Sequence, residues 1–491
     1  MKLEQAQEIA ARVGKAREYG HFIDGEWVGA GSGDGIVLSN PATRASLGTI
    51  QAGGAAEVDR AVRAAHAAFP KWASSDPLYR QRIMLAMAER LRARAEEFVV
   101  MESLNNGATI SETKHFVAHA IEQLEYWAGA GITIRGETVD FADTIGIIHR
   151  EPLGVVAQII PWNAPLIMAV QKLGPALAAG CTVVLKPAET ACLSVLNFFE
   201  MVADLLPPGV VNVVTGYGQD VGEPLVSHRL VRKVTFTGSR ATAQKVIQYA
   251  SRNIIPQTME LGGKSANIVC PDADLQKAAQ SAVMTTVGNS GEVCLAGSRV
   301  FVHDSVKEEF TTLFRTMLSH VKQGDPLSPD THIGCQASLA QFEKVSGYLS
   351  LAREEGATIA AGGERASIAG LEDGLFIQPT ILDNCRPDMR VMQEEIFGPV
   401  TGLIGWSDED DLLRRVNDVE YGLGGAVWTN DLSRAHRIAR QVEAGTVWVN
   451  CYYNMRLGLP VGGYKQSGFG RENTLDALND YTHTKSVVLK L

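Results

Sequence analysis

The feature that most constrains the fold is an alternation of apolar runs and helical patterns in the middle of the chain. The apolar runs, rich in Val and Ile, lie at 153–160, 181–187, 210–214 and 233–238. Helical patterns separate them, at about 165–179, 194–206 and 220–227. Strands that are apolar on both faces need cover on both faces, so this region predicts a parallel sheet between helices. Such sheets bind ligands at the carboxyl ends of their strands.

The rest of the chain predicts a second α/β unit and some exposed strands. The alternation resumes with apolar runs at 266–270 and 298–302 and a helix from about 275. Towards the N-terminus we expect helices at 4–18, 55–69 and 79–105, and a hairpin at 21–28 around an Asp-Gly turn. The stretches 133–151 and 482–491 read as strands without an obvious partner in their own domain, and such strands favour association.

Composition excludes several classes of function. The formal net charge of -10 is not concentrated in a long single-sign run, which argues against nucleic-acid binding. A membrane span needs about 18 consecutive apolar residues, and none is present. The first residues contain no apolar signal core, so we expect a cytoplasmic protein. The 7 cysteines are scattered and the 11 histidines do not cluster, so we expect reduced thiols and no metal site.

Two short runs contain the strongest candidates for chemistry. Cys294 lies among small residues between 288 and 298, which favours an accessible thiol, although a free cysteine is as often a small core residue. Glu260 is flanked by apolar and small residues rather than by polar ones. A carboxylate in such surroundings has a raised pKa and can act as a base near neutrality, whereas a solvated carboxylate is the ordinary alternative. Together they predict a thiol nucleophile and a carboxylate base.

Further candidates follow the predicted strands. Asn163 follows the first strand and could donate to a developing oxyanion, or simply form a turn. The Gly238-Ser239 turn opens a helix, whose free amides suit a pyrophosphate. The candidate ribose ligands are charged residues that could instead be solvated, namely Lys186 and Glu189 after the second of these strands, and Glu395 near the aromatic Phe397.

Taken together, these runs resemble the NAD(P)-dependent aldehyde dehydrogenase superfamily over essentially the whole chain. The runs that match its motifs are Pro161-Trp162-Asn163, Lys186-Pro187-Ala188-Glu189, Phe236-Thr237-Gly238-Ser239, Glu260-Leu261-Gly262-Gly263-Lys264, Gly291-Glu292-Val293-Cys294, Glu395-Ile396-Phe397-Gly398-Pro399 and Gly462-Gly463-Tyr464-Lys465-Gln466-Ser467-Gly468. Their number and order make the resemblance specific, and Glu260, which supplies a base to activate water, favours the hydrolytic, non-acylating type.

The resemblance implies a role for each matching residue. Cys294 matches the nucleophile, Glu260 the general base and Asn163 the oxyanion-hole amide. Lys172 and Glu472 match a lysine and a glutamate that assist proton relay. The positions that match NAD contacts are Ile159, Pro161, Trp162, Lys186, Glu189, Gly238, Ser239, Leu261, Glu395 and Phe397.

The resemblance also implies an architecture and an assembly. It predicts a Rossmann-like NAD-binding domain (1–131 and 152–261), a second α/β catalytic domain (262–473) and a β oligomerisation arm (132–151 and 474–491). The arm would give a homodimer or homotetramer, with Val487, Val488 and Leu489 alternating between a buried interface face and a less buried one. The small-molecule partner implied is an aldehyde.

Two positions depart from the family pattern. Ala243 replaces a second glycine near the pyrophosphate and could shift the helix. Glu292 replaces a common glutamine, and an extra carboxylate near Cys294 would raise the pKa of the thiol.

The substrate is predicted from positions where relatives often carry aromatics. Here these are Ala164, Gln171, Met455 and Val461. The other predicted lining residues are Ile167, Met168, Val293, Leu295, Leu457 and Leu459, with Tyr452, Tyr453 and Arg456 nearby. A wide apolar tunnel favours a bulky hydrophobic aldehyde, terpenoid or aromatic. Arg456 leaves open a semialdehyde with a distal carboxylate, and a coenzyme A-acylating enzyme or a non-catalytic scaffold are less favoured alternatives.

Overall fold

The computed structural model describes residues 1–29 and 35–491. Its helices are α1 Leu3–Val13, α2 Ala55–Ala73, α3 Pro77–Ala93, α4 Ala95–Asn106, α5 Ile110–Ala130, α6 Pro165–Ala179, α7 Leu193–Val202, α8 Glu223–Ser227, α9 Arg240–Ala250, α10 Leu275–Val287, α11 Lys307–Ser319, α12 Leu339–Glu354, α13 Arg390–Gln393, α14 Glu409–Asn417 and α15 Leu432–Gln441.

Its strands are β1 Arg17–Tyr19, β2 His21–Ile23, β3 Glu26–Val28, β4 Ile36–Ser39, β5 Ser46–Ile50, β6 Glu137–Phe141, β7 Thr144–Pro152, β8 Val155–Ile159, β9 Thr182–Lys186, β10 Val211–Val213, β11 Val231–Thr237, β12 Gln257–Glu260, β13 Ala266–Val269, β14 Arg299–His303, β15 Thr358–Ala361, β16 Thr380–Asp383, β17 Val400–Trp406, β18 Tyr421–Gly422, β19 Gly424–Trp428, β20 Thr446–Val449, β21 Tyr464–Lys465, β22 Gly468–Phe469 and β23 Thr482–Lys490.

The first large sheet confirms the parallel arrangement predicted for 153–238. Its strand order is β22-β12-β11-β8-β9-β10-β2-β3, and the strands from β12 to β10 are parallel. Successive residues of β8 enter different cores: Val155 and Ala157 pack with α2 on one face, and Val156 packs with α5, α6 and α7 on the other. Cover on both faces explains why these strands are continuously apolar.

The second large sheet confirms the second α/β unit. Its order is β15-β16-β17-β14-β13-β19-β20, with β16 to β20 parallel and β15 antiparallel at one edge. Ile268 and Val269 of β13 again face two different cores. The α/β fold class is therefore confirmed.

The stretches expected to lack partners pair with one another. β23 runs antiparallel to β7 from Thr482 opposite Pro152 to Lys490 opposite Thr144, and β6 flanks β7 on its other side. The two stretches thus form a separate three-stranded sheet and pair with neither large sheet. Apolar side chains on this small sheet remain exposed, at Val139, Phe141, Val488 and Leu489.

Two of the helix predictions had wrong boundaries, and the hairpin prediction was right. The first helix ends at Val13 rather than at 18, because Gly14 ends it and β1 begins at Arg17 to pair with β5. The helix expected at 79–105 is two helices, because Arg94 leaves helical geometry at φ -117 and ψ 19. The hairpin at 21–28 forms with both Asp24 and Gly25 at positive φ.

The sequence predicts neither a membrane-spanning helix nor a metal site. Among the helices of residues 1–29 and 35–491, none is long and apolar enough to cross a membrane. Within the same residues the side chains form no metal-binding cluster of His, Cys, Asp and Glu, and the cysteines are all free thiols.

Candidate active site

The carboxyl edge of the first sheet gathers most of the predicted site residues. The register places Ile159 beside Lys186 and Thr237 beside Glu260, so four neighbouring parallel strands end together. Pro161, Trp162 and Asn163 connect β8 to α6, while Gly238 and Ser239 connect β11 to α9. This convergence is the geometry in which open α/β sheets bind ligands.

Cys294 lies beyond this edge, in a loop with an unusual backbone. Asn289, Ser290 and Gly291 all have positive φ, at 46°, 53° and 73°. Buried hydrogen bonds hold this left-handed segment: the Glu112 carboxylate accepts from the Asn289 amide, and the Gln336 side chain donates to the Ser290 carbonyl at 3.0 Å. Strained backbone persists only where its surroundings fix it, and it is common at functional sites.

Asparagine side chains connect this loop to Asn163. The Asn163 amide donates to the carbonyl of Glu292 at 2.8 Å. The Asn289 amide donates to the Asn163 carbonyl at 2.9 Å, and the Asn106 amide donates to the same oxygen at 3.1 Å. One N–H of Asn163 is therefore committed to the loop, and its amide is fixed beside the segment that contains Cys294.

The Cys294 thiol is partly buried, and two carboxyl groups act on it. Burial, together with the charges of Glu395 and Glu260, raises the pKa of this thiol to about 12. On the other side, the backbone turn after Glu260 touches the loop, since a Cβ on Gly263 would lie 2.6 Å from the Cys294 carbonyl oxygen. The thiol is thus protonated at neutral pH in this arrangement.

Glu260 is a buried carboxyl group with a free oxygen. Its residue is 7% exposed, and Oε1 has no hydrogen-bond partner among the residues that the structure describes. Burial raises its pKa well above the usual range; the charge of Glu472 adds to the shift, while Lys172 and Arg471 oppose it. The sequence-based prediction of a carboxylate in apolar surroundings agrees with this environment.

Lys172 and Glu472 form a buried ion pair. The Lys172 amine donates to Oε1 of Glu472 at 2.7 Å, and the two side chains are 0% and 7% exposed. Such a pair, removed from water, needs good geometry to be stable. Its effect on the pKa of Glu260 shows that the pair lies close enough to influence that carboxyl group.

Glu395 is held in place, unlike Glu260. Its Oε1 accepts from the Gly263 amide at 3.0 Å. It also fills the space that a side chain at Gly262 would need, because a Cβ there would lie 2.1 Å from Oε2. Beside it, Phe397 has a φ of 59° and contacts Trp162 edge to face, with ring centroids 5.5 Å apart.

The remaining predicted cofactor contacts lie farther along the sheet edge. Lys186 donates to Glu189 at 3.1 Å, so the two predicted ribose ligands form an ion pair with each other. Ser239 caps α9 by accepting from the Thr242 amide. Ala243 packs in the core beneath this turn at 1% exposure, so its methyl group is accommodated.

The expected influence of Glu292 on the thiol was wrong. Its buried carboxyl group accepts from the Ala337 amide at 3.0 Å. Burial raises the pKa of Glu292 itself well above the usual range. The carboxylates that raise the pKa of Cys294 are Glu395 and Glu260 instead. Glu292 therefore links the loop to Ala337.

The predicted substrate-lining residues differ in exposure. Met168, Val293, Met455, Leu457 and Val461 are partly buried. Ile167 and Leu295 are buried in the cores, at 9% and 8% exposure, whereas Leu459 is 59% exposed. Around Cys294, partly buried Val293, Tyr453 and Met455 pack on one small apolar cluster.

Several residues of the site were not predicted from the sequence. Lys344 lies near Glu395 and lowers the pKa of that carboxyl group against the effect of burial. Asn289 and Glu112 fix the nucleophile loop. The Asn-Ser-Gly sequence could have indicated positive φ, because these residues tolerate it best. The Thr109-x-x-Glu112 spacing signals only a helix cap, which does form.

Comparisons with known proteins identify the family. The model of the aldehyde dehydrogenase family matches residues 27–487. Acetaldehyde dehydrogenase 2 of Cupriavidus necator is 41% identical over 498 residues, covering 100% of this chain and 98% of the relative. The chain belongs to the aldehyde dehydrogenase family, as the motifs indicated.

Solved structures agree over the whole chain. A mutant P. syringae indole-3-acetaldehyde dehydrogenase in complex with NAD+ and IAA has a TM-score of 0.97 and 38% identity, covering 100% of both chains. The betaine aldehyde dehydrogenase of Staphylococcus aureus, in complex with NAD+, has a TM-score of 0.96 and 35% identity over 99% of this chain and 97% of its own. These similarities confirm the predicted aldehyde dehydrogenase fold.

Proposed function

We propose that this chain is an NAD-dependent aldehyde dehydrogenase that converts an aldehyde to the carboxylic acid through a thioester on Cys294. One observation carries the proposal: the loop that contains Cys294 accepts a hydrogen bond from the Asn163 amide on one side, and the turn that follows Glu260, a buried carboxyl group with a free oxygen, lies against the Cys294 carbonyl. A nucleophile, a base and an oxyanion donor are the groups that acyl transfer needs.

The carboxyl edge of the first sheet fits NAD. The N-terminus of α9, with Ser239, suits the pyrophosphate, and Lys186 and Glu189 suit the adenosine ribose. Glu395 and Phe397 would hold the nicotinamide end near Cys294. NAD supplies the hydride acceptor that the oxidation requires. Solved relatives in complex with NAD+ support this assignment.

The first half of the reaction takes place at Cys294. The thiolate attacks the aldehyde carbon and forms a thiohemiacetal. The second N–H of Asn163 and the backbone N–H of Cys294 stabilise the oxyanion. Because the thiol has a raised pKa, its proton must pass to a base during the attack. Loss of hydride from the adduct leaves the thioester.

The second half depends on Glu260. Its free oxygen accepts a proton from a water molecule, which attacks the thioester and releases the acid. Burial favours the neutral form of Glu260, so the proton it receives must be passed on. The Lys172–Glu472 pair, whose charges act on Glu260, is the candidate for that transfer.

We propose a bulky hydrophobic aldehyde, terpenoid or aromatic, as the substrate. The support is the apolar surface near Cys294, where Val293 and Met455 are only partly buried, and the small Ala164 after Asn163. The similarity to a structure solved with IAA agrees with this size. A semialdehyde with a distal carboxylate is the second candidate, because exposed Arg456 lies on the same loop as Met455.

An aldehyde panel tests both the reaction and the substrate. NADH formation is measured with aromatic, terpenoid, short-chain and carboxylate-bearing aldehydes, with and without coenzyme A. We expect the highest kcat/KM with the bulky apolar compounds and no dependence on coenzyme A. A requirement for coenzyme A would indicate the acylating alternative, and no NADH with any aldehyde would indicate a scaffold protein.

Cofactor choice provides a separate test. Glu189 should accept hydrogen bonds from the ribose hydroxyls and repel a 2′-phosphate, so we expect NAD to be preferred. Its ion pair with Lys186 weakens that repulsion. The ratio of kcat/KM for NAD and NADP measures the balance, and Glu189→Gln should reduce the ratio. A preference for NADP in the unmodified protein would contradict the role of Glu189.

We further propose three domains, each built mainly around the first large sheet, the second large sheet or the small β23-β7-β6 sheet: cofactor binding at 1–131 and 152–261, catalysis at 262–473 and an oligomerisation arm at 132–151 and 474–491. The exposed apolar residues of the arm, Val139, Phe141 and Val488, would be covered in a homodimer or homotetramer. Light scattering measures the assembly. A monomer of about 53 kDa at micromolar concentration would refute it.

A further inference from the structure

Helix α6 has one narrow open face. All of its residues are buried except Met168 and Gln171, which are partly exposed. Residues three apart lie on the same side of a helix, so these two form a single stripe. Lys172 follows directly, with its side chain fully buried. Gln171 therefore lies where the open face meets the buried ion pair.

Two neighbouring residues of α6 hold the two oxygens of one carboxylate. The Gln171 amide donates to Oε2 of Glu472 at 2.6 Å, and the Lys172 amine donates to Oε1 at 2.7 Å. Hydrogen bonds to an ionised group are shorter and stronger than those between neutral groups. Both bonds act on Glu472 from the same side, and together they fix its orientation.

The backbone of Glu472 is also fixed. Its N–H donates to the Val461 carbonyl at 2.8 Å, and its carbonyl accepts from the Val461 amide at 3.0 Å. Only the side-chain torsions of Glu472 remain free, and the bonds from α6 determine them. The direction in which this carboxylate points, relative to Glu260, thus depends on Gln171 as well as on Lys172.

Strand β22, which precedes Glu472, pairs with the end of β12, where Gly468 lies opposite Glu260. We propose that Gln171 is a positioning residue for the second half of the reaction: its amide holds Glu472 in the pair with Lys172 and so fixes a carboxylate next to the strand that pairs with Glu260. This inference rests on the proposed function and extends it to a residue that acts through Glu472. Without the amide, Oε2 of Glu472 loses its donor and the carboxylate turns toward other partners. Hydrolysis of the thioester should then slow, while its formation continues.

The test measures the lifetime of the acyl group on Cys294. p-Nitrophenyl acetate, an activated ester, can acylate the thiol without any cofactor, and intact-mass spectrometry follows the loss of the acetyl group. Gln171→Met removes a hydrogen bond to the charged Glu472. We therefore expect the acetyl group to remain on Cys294 about tenfold longer in this variant. Gln171→Asn keeps the amide but is one methylene shorter, so it should behave like Gln171→Met. Gln7→Met makes the same change at an exposed glutamine of α1, away from the site, and is the control that should leave the lifetime unchanged.

A double-mutant cycle then shows whether Gln171 acts through Glu472. Glu472→Ala removes both acceptor oxygens, so adding Gln171→Met to it should change the lifetime by less than about twofold. An equal effect of Gln171→Met with and without Glu472, or a change in KM for the aldehyde alone, would overturn the role of Gln171. Unmodified protein that takes up no acetyl group and forms no NADH would instead contradict the proposed function.

Discussion

The two carboxyl groups beside Cys294 differ in how they are held. Glu395 is fixed: the Gly263 amide donates to it, and it fills the space above Gly262. Glu260 ends a strand of the first sheet, and one of its oxygens has no partner among the described residues. Burial raises the pKa of both, yet only Glu395 is stabilised by a backbone amide.

This difference indicates different functional roles for Glu395 and Glu260. A carboxylate with satisfied hydrogen bonds keeps its position and can bind hydroxyl groups of a ligand. A buried carboxyl group with a free oxygen is costly, since an unpaired polar atom away from water destabilises the fold. Such an atom is expected where a water molecule or substrate completes the hydrogen bonding. We therefore expect loss of Glu395 to weaken binding and loss of Glu260 to stop a chemical step.

Removing the thiol whose pKa both carboxyl groups raise should have the largest effect. Cys294→Ala leaves no nucleophile, so neither a burst nor steady formation of NADH is expected with any aldehyde. Cys451→Ala removes another partly buried thiol and is the matched control, which should still form NADH. Steady-state turnover by Cys294→Ala would refute the covalent mechanism.

Replacing Glu260 should separate the two halves of the reaction. Glu260→Gln keeps the size of the side chain but cannot take a proton from water. We expect a burst of about one NADH per site, followed by turnover reduced on the order of a hundredfold or more. Rapid mixing measures the burst. Under the same conditions Glu395→Gln should show no stall, and a matching burst and stall in both variants would remove the distinction between the two groups.

Displacing the Glu395 carboxylate without changing its charge tests whether Glu395 holds the cofactor. A methyl group at Gly262 would lie 2.1 Å from Oε2 of Glu395, so Gly262→Ala must move that carboxylate. We expect the KM for NAD to rise about tenfold, because the displaced Glu395 carboxylate would no longer accept a hydrogen bond from NAD. Gly218→Ala meets nothing within 4 Å and is the control. If both variants bind NAD equally well, Glu395 does not hold the cofactor.

The sequence predicted what depends on local pattern. Continuous apolar runs predicted the parallel strands, and the ends of those strands placed Asn163 and Lys186 along one edge, whereas strand β12, which ends at Glu260, was not predicted. The apolar neighbours of Glu260 indicated its buried state. These predictions succeeded because burial and strand period are properties of consecutive residues.

What the sequence did not predict depends on contacts between distant segments. Glu292 was expected to act on the thiol because it is near Cys294 in the chain, but its carboxyl group binds Ala337. The ion pair of Lys186 with Glu189 and the amide of Gln171 on Glu472 depend on side-chain direction. Spacing alone does not determine that direction.

The smallest expected effect is a shift in the pH dependence of turnover, which should distinguish Glu260 from Glu395. Glu260 must be ionised to act as a base, and burial raises its pKa, so hydrolysis-limited turnover should increase as pH rises through that pKa. The charge of Glu472 raises the pKa of Glu260 further. Glu472→Gln removes this charge and should move the ascending limb to lower pH by about half a unit to one unit.

Glu395 is not among the groups that shift the pKa of Glu260, so Glu395→Gln should leave the limb in place. The profile is measured at saturating NAD, so that weaker cofactor binding does not distort it. If the ascending limb of the pH profile moves in Glu395→Gln but not in Glu472→Gln, the titrating base lies near Glu395 rather than near Glu472.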